Sequence, residues 1–116
     1  TMLREVQSAA SFIASLAKDL SPKERETFNN SLCMSMSLHY KDHWFPDKPN
    51  KGNAYRCIEI SPKLPDPVIE SALRLSNFST SSSMLFKCHV LIWVDPKEVS
   101  YKFGDEGSVG VHYRES

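Results

Sequence analysis

The sequence predicts an α+β domain: an N-terminal helical hairpin and further short helices packed on a small, mainly antiparallel four-stranded sheet. Three observations predict it. Apolar residues recur at helical spacing through the first forty residues, broken only at Ser21-Pro22. Apolar or alternating runs fill the last third, separated by turn residues. Helices come first and strands mostly last, the order of an α+β rather than an α/β chain.

Leu3, Val6, Ala10, Ile13, Leu16 and Leu20, with Phe12 beside them, form one apolar stripe, predicting a first helix from Leu3 to about Leu20. Ser21-Pro22-Lys23-Glu24 restarts the chain, with Ser21 as N-cap, Pro22 at the first helical position and Glu24 closing a capping box. Phe28, Leu32, Met36 and His39 carry that helix to Tyr40, with Met34 and Met36 expected to fill core gaps. Pro46 and Pro49 deny helix after Lys41, and Gly52-Asn53 reads as a turn. Ala54 to Ile60 alternates and is expected as a strand, with Cys57 inside it as a buried structural cysteine. Asp66-Pro67 starts a short amphipathic helix through Val68, Ile69, Ala72 and Leu75. Ser79 to Ser83 is polar connection with one short helical turn toward Phe86. Val90 to Val94, Glu98 to Phe103 and Ser108 to Tyr113 complete the strands, the last two joined across Gly104 to Gly107.

The chain has 116 residues, which is one domain spanning 1–116. Fourteen Lys+Arg balance fourteen Asp+Glu, so binding nucleic acid mainly by phosphate neutralisation is not expected. No apolar run approaches the roughly 18 residues of a membrane span. Three cysteines without a C-x-x-C are neither a disulfide framework nor a zinc site, and suit a reducing compartment. No phosphate-binding glycine loop or nucleophile elbow is present. His39 and His43 lie four apart, but no third ligand accompanies them, so no metal or cofactor is expected. Lys41, Lys48, Lys51, Arg56 and Lys63 interleave with Trp44, Phe45 and Tyr55, a pattern that can stack nucleic acid, although Asp42, Asp47 and Glu59 cancel much of the charge.

Trp44 reads as a hinge residue at the edge of the core. Trp93 differs. It ends a strand, and alternation puts it on one face with Asp95, a carboxylate expected in solvent. An accessible indole beside an acid is a hot-spot constellation for a protein partner.

His43-Trp44-Phe45-Pro46-Asp47-Lys48-Pro49, then Lys51-Gly52 and Tyr55-Arg56-Cys57-Ile58, resembles box A of the BTG/Tob antiproliferative family, placed at about 40–60. Trp93-Val94-Asp95-Pro96, then Glu98-Val99-Ser100-Tyr101 and Gly104, resembles its box B, at about 91–107. The N-terminal helices and the Asp66-Pro67-Val68-Ile69-Glu70 start also fit. The resemblance implies a non-enzymatic, cytoplasmic and nuclear adaptor that binds the catalytic deadenylase subunit of the Ccr-Not complex. It would link that subunit to mRNA decay or transcriptional regulation. Carried over by position, the family's deadenylase contacts fall on Tyr55, Trp93 and Asp95. The competing class is a direct nucleic-acid or transcription-factor binding module. Two positions depart from the family pattern: Phe86-Lys87 replaces a Leu-Pro pair before box B, and Lys97 stands where many members carry an aromatic.

Overall fold

The computed structural model describes residues 1–116. Helices α1 (Leu3–Leu16) and α2 (Pro22–Tyr40) pack on each other, followed by β1 (Cys57–Ile60), α3 (Pro67–Leu75), α4 (Ser82–Leu85), β2 (Val90–Asp95), β3 (Glu98–Phe103) and β4 (Gly110–Arg114). The α+β class and the four-stranded sheet are as expected. The sheet runs β1-β2-β3-β4, every neighbouring pair antiparallel.

Local chemistry sets the element ends. Ser21 Oγ accepts from the Glu24 N–H at 3.1 Å, while the Ser21 N–H donates to Glu24 Oε1 at 2.8 Å. That reciprocal pair satisfies two donors that a helix start otherwise leaves open. Asp66 caps α3 by accepting from the Val68 and Ile69 N–H groups at 2.8 and 3.3 Å. Its second oxygen takes the Glu59 N–H at 3.1 Å, tying β1 to α3. Burial pushes the Asp66 carboxyl above its usual range, with these N–H bonds pulling the other way.

The α1 helix stops four residues before the periodicity suggested. The Arg25 guanidinium of α2 donates to the carbonyls of Ala14, Ala17 and Leu20 at 3.3, 3.1 and 3.1 Å. A side chain from the next helix thus does what the N–H groups of a further turn would do. Leu20 still turns partly inward, from the corner rather than from the helix. The last strand begins at Gly110 rather than Ser108. Gly110 pairs with Tyr101, and a Cβ there would sit 2.5 Å from the tyrosine ring.

The core lies between one face of the sheet and the helices. Ile58, Ile60, Val90, Ile92, Val94 and Val99 meet Val6, Ile13, Phe28, Leu32 and Met36 in one buried cluster. Phe12 of α1 stacks on Tyr101 of β3 with centroids 4.9 Å apart. Met34, expected as a core filler, is 55% exposed: it lies two residues from buried Met36 and so on the other side of α2. Trp44 sits at the core edge as expected. No helix is long and apolar enough to cross a membrane.

Candidate functional site

Residues 41–56 form no helix or strand; they wrap around one buried guanidinium. Arg56 is fully buried. Its Nε donates to the Val94 carbonyl at 2.7 Å, Nη1 to those of His43 and Lys51 at 2.7 Å each, and Nη2 to the Pro49 carbonyl at 2.9 Å and Asp95 Oδ1 at 3.1 Å. Arginine has five N–H donors, and all are engaged. The Trp44 ring lies against the guanidinium at 5.3 Å. Gly52, at φ +75°, passes so close that a Cβ would be 3.0 Å from Nη1, so both its conformation and its lack of a side chain are required here.

This hub explains why β1 starts at Cys57 and not at Ala54. The Arg56 N–H bonds back to the Gly52 carbonyl at 3.2 Å, and the Cys57 N–H to that of Ala54 at 3.4 Å. Those residues close turns that aim Arg56 inward instead of extending the ladder. The hub also removes Arg56 from any nucleic-acid surface. The neighbouring aromatics are occupied too: Lys51 Nζ stands 4.3 Å over Phe45, and Tyr55 stacks on His43 at 3.8 Å. The two histidines of the i, i+4 pair part company. His39 Nδ1 bonds the Ser35 carbonyl at 2.8 Å, while His43 lies beyond α2 under Tyr55.

The opposite face of the sheet carries no helix. Alternation sends Val90, Ile92 and Val94 into the core and leaves Leu91, Trp93 and Asp95 half-buried on the outside. Trp93 pairs with Cys57 on one side and Ser100 on the other. Ser100 is buried although it points outward, shaded by its larger neighbours Trp93 and Val111. Tyr55 is 50% exposed and stands two residues before Cys57, at the same end of the sheet. Trp93 and Asp95 thus share the outer face at the end of β2 held by the Arg56 hub, and Tyr55 lies in the turn that leads through Arg56 into β1.

Two expectations change. Asp95 is not a free solvated acid: its side chain is 20% exposed and paired with Arg56 at 3.1 Å. Burial is the main influence and lifts its carboxyl, with Arg56 pulling it down and Glu98 pushing it up. Cys57 is not in the core. It lies half-buried on the outer face, across from Trp93, and burial raises its thiol to about 11. Parity signals both residues. Counting back from core residues Ile60 and Ile58 puts Arg56 on the core side, and a charge at core parity demands internal partners. The same count puts Cys57 and Glu59 outside.

A hollow of about 440 Å³ lined by Leu16, Lys18, Leu85, Lys87, Cys88 and Phe103 lies elsewhere, at the other end of β2, where Val90 pairs with Phe103.

A sequence profile of the BTG family matches residues 2–113. Protein BTG1 from Homo sapiens is 42% identical over 120 residues, covering all of this chain and 70% of that protein. Protein BTG2 from Homo sapiens is 39% identical over 119 residues, covering 99% and 75%. Human Tob1 is 38% identical over 114 residues, covering 97% of this chain and 33% of that protein. Among solved structures, a variant of the C. elegans FOG-3 BTG/Tob domain superimposes with a TM-score of 0.79 at 16% identity, over 98% of this chain and 83% of that one, a likeness of fold. With the profile spanning almost every residue and relatives aligned along essentially the whole of this chain, the chain belongs to the BTG family.

Proposed function

We propose that this BTG-type antiproliferative domain is a non-enzymatic adaptor that binds the catalytic deadenylase subunit of the Ccr-Not complex. The contact is the helix-free sheet face centred on Trp93. Through it the domain links that subunit to mRNA decay or transcriptional regulation, in cytoplasm and nucleus. The exonuclease supplies the chemistry; this domain supplies apolar area and orientation.

One observation carries the reading. A half-buried indole stands on the uncovered face of a sheet whose other face packs on the helices to form the core. Its surroundings fit a docking anchor. Leu91 and Cys57 extend the apolar surface around it, and Asp95 presents a carboxylate fixed in place by Arg56. Tyr55 adds a second exposed aromatic at the rim, its ring held by the stack on His43. Rigid aromatics lose little entropy on binding, which is why they dominate interface energetics. The acceptor on Asp95 adds direction, and its anchoring means little further ordering on association.

Trp93→Ala is expected to cost about 2 kcal/mol or more of binding, roughly thirtyfold in affinity. Pull-down of the purified deadenylase subunit checks this, with circular dichroism as the control for folding. Equal recovery by a folded Trp93→Ala domain rejects the assignment.

A further inference from the structure

The turn that follows Asp95 is locally ill-suited to its sequence, and a carboxylate from the far end of the chain holds it. Asp95 pairs with Glu98, so Pro96 and Lys97 are the two central residues of a two-residue hairpin. Such hairpins favour primed turns, whose twist matches that of the strands. Both primed turns need a positive φ at the first central position, where the Pro96 ring fixes φ near −65°. The positive φ falls instead on Lys97, at +69°, as in a type II turn. A lysine meets a steric penalty there that glycine would not. Flipping the peptide between Pro96 and Lys97 gives a type I turn, which Pro-Lys adopts without a positive φ.

Glu5 opposes that flip. The Lys97 N–H donates to Glu5 Oε2 at 2.7 Å, a contact between residues 92 positions apart. Glu5 sits in the first turn of α1 and is 4% exposed, so this buried carboxylate has a partner only while the peptide faces it. The flip would take the N–H away and bring the Pro96 carbonyl oxygen toward the carboxylate. On the other side, the Lys97 carbonyl accepts from the Glu115 N–H at 2.8 Å.

We infer that Glu5 is a positioning residue for the docking face: by accepting from Lys97 it selects the orientation of the Pro96–Lys97 peptide, and with it the hairpin twist that sets Trp93 and Asp95. The inference rests on the reading that this face binds the deadenylase subunit. It makes the start of α1, remote from both boxes in sequence, part of what shapes the site.

Three readouts test it on the purified domain: hydrogen exchange of the Lys97 amide, the NMR shift of the Trp93 indole N–H, and affinity for the purified deadenylase subunit. Glu5→Ala is expected to speed Lys97 exchange and weaken binding about tenfold each, and to move the indole resonance. Glu5→Gln, which keeps an acceptor oxygen, stays close to the parent. Adding Lys97→Gly to Glu5→Ala restores affinity, because glycine takes the left-handed conformation unaided. Should Glu5→Ala not fold, Glu5→Asp withdraws the oxygen while keeping the charge, and gives the same readouts. Unchanged Lys97 exchange overturns the clamp. Faster exchange with an unmoved indole and unchanged affinity overturns the positioning role. If the unsubstituted domain itself fails to bind, the deadenylase reading falls, and exchange and indole shift still decide the role of Glu5.

Discussion

Strand β2 has two faces with opposite duties. Val90, Ile92 and Val94 are fully buried beneath the helices, whereas Leu91, Trp93 and Asp95, interleaved with them, stay half-open to solvent. One backbone carries both sets, and a slip of a single residue would exchange them. The burial of the inner set fixes the register, and the register presents the outer set. The large indole is thus displayed by side chains that it never needs to touch. The separation fails at one point. Asp95 lies on the outer face, yet its partner Arg56 lies at core parity and holds the box A loop.

Where the two faces meet, the largest effect is expected. Arg56→Ala leaves four carbonyls and a carboxylate without their donor and should cost about 3–5 kcal/mol of stability, read by urea unfolding. Arg56→Lys should not restore it, since an ammonium has three donors and no planar fork. On the inner face, Ile92→Ala should cost about 2–4 kcal/mol of stability while the folded fraction keeps its affinity for the partner. Weakened binding by folded Ile92→Ala would mean that the faces are not separable. Asp95→Ala should cost about 1–2 kcal/mol, less than a fully buried pair because the carboxylate is 20% exposed. Asp95→Asn keeps an acceptor for Arg56 and should retain most of the stability, so a binding loss in that variant reports on the interface itself.

The smallest effect is a pH dependence on the outer face. Burial raises the Cys57 thiol from 9.0 to about 11, so the folded chain holds that proton more tightly than the unfolded one. Its contribution is whole below pH 9 and is lost as pH rises through 11. Cys57→Ala should therefore flatten part of the alkaline fall in unfolding free energy. Alkylation by iodoacetamide near neutral pH should be slow in the folded parent.

Much of this was legible in the sequence wherever one local signal decided the outcome. The Ser21-Pro22-Glu24 box and the Asp66-Pro67 start set helix ends through contacts within three residues. The alternation of β2 put Trp93 outside. The signals failed where a distant side chain intervened: Arg25 ended α1 early, and Arg56 kept Ala54 and Tyr55 out of β1. Asp95 was readable as an outer-face acid but not as the counterion of a residue 39 positions earlier. Cys57 was legible by parity, but apolar neighbours in sequence pointed to the core instead. The left-handed Lys97 and its bond to Glu5 depend on the assembled fold, with no pattern at either end to announce them.

Titration calorimetry of the purified catalytic deadenylase subunit into this domain and its Trp93→Ala variant, with melting curves of both, addresses the outer face most directly. A folded variant with affinity down thirtyfold or more is the expected result. A folded variant that binds as tightly as its parent would contradict the assignment of the indole as the anchor.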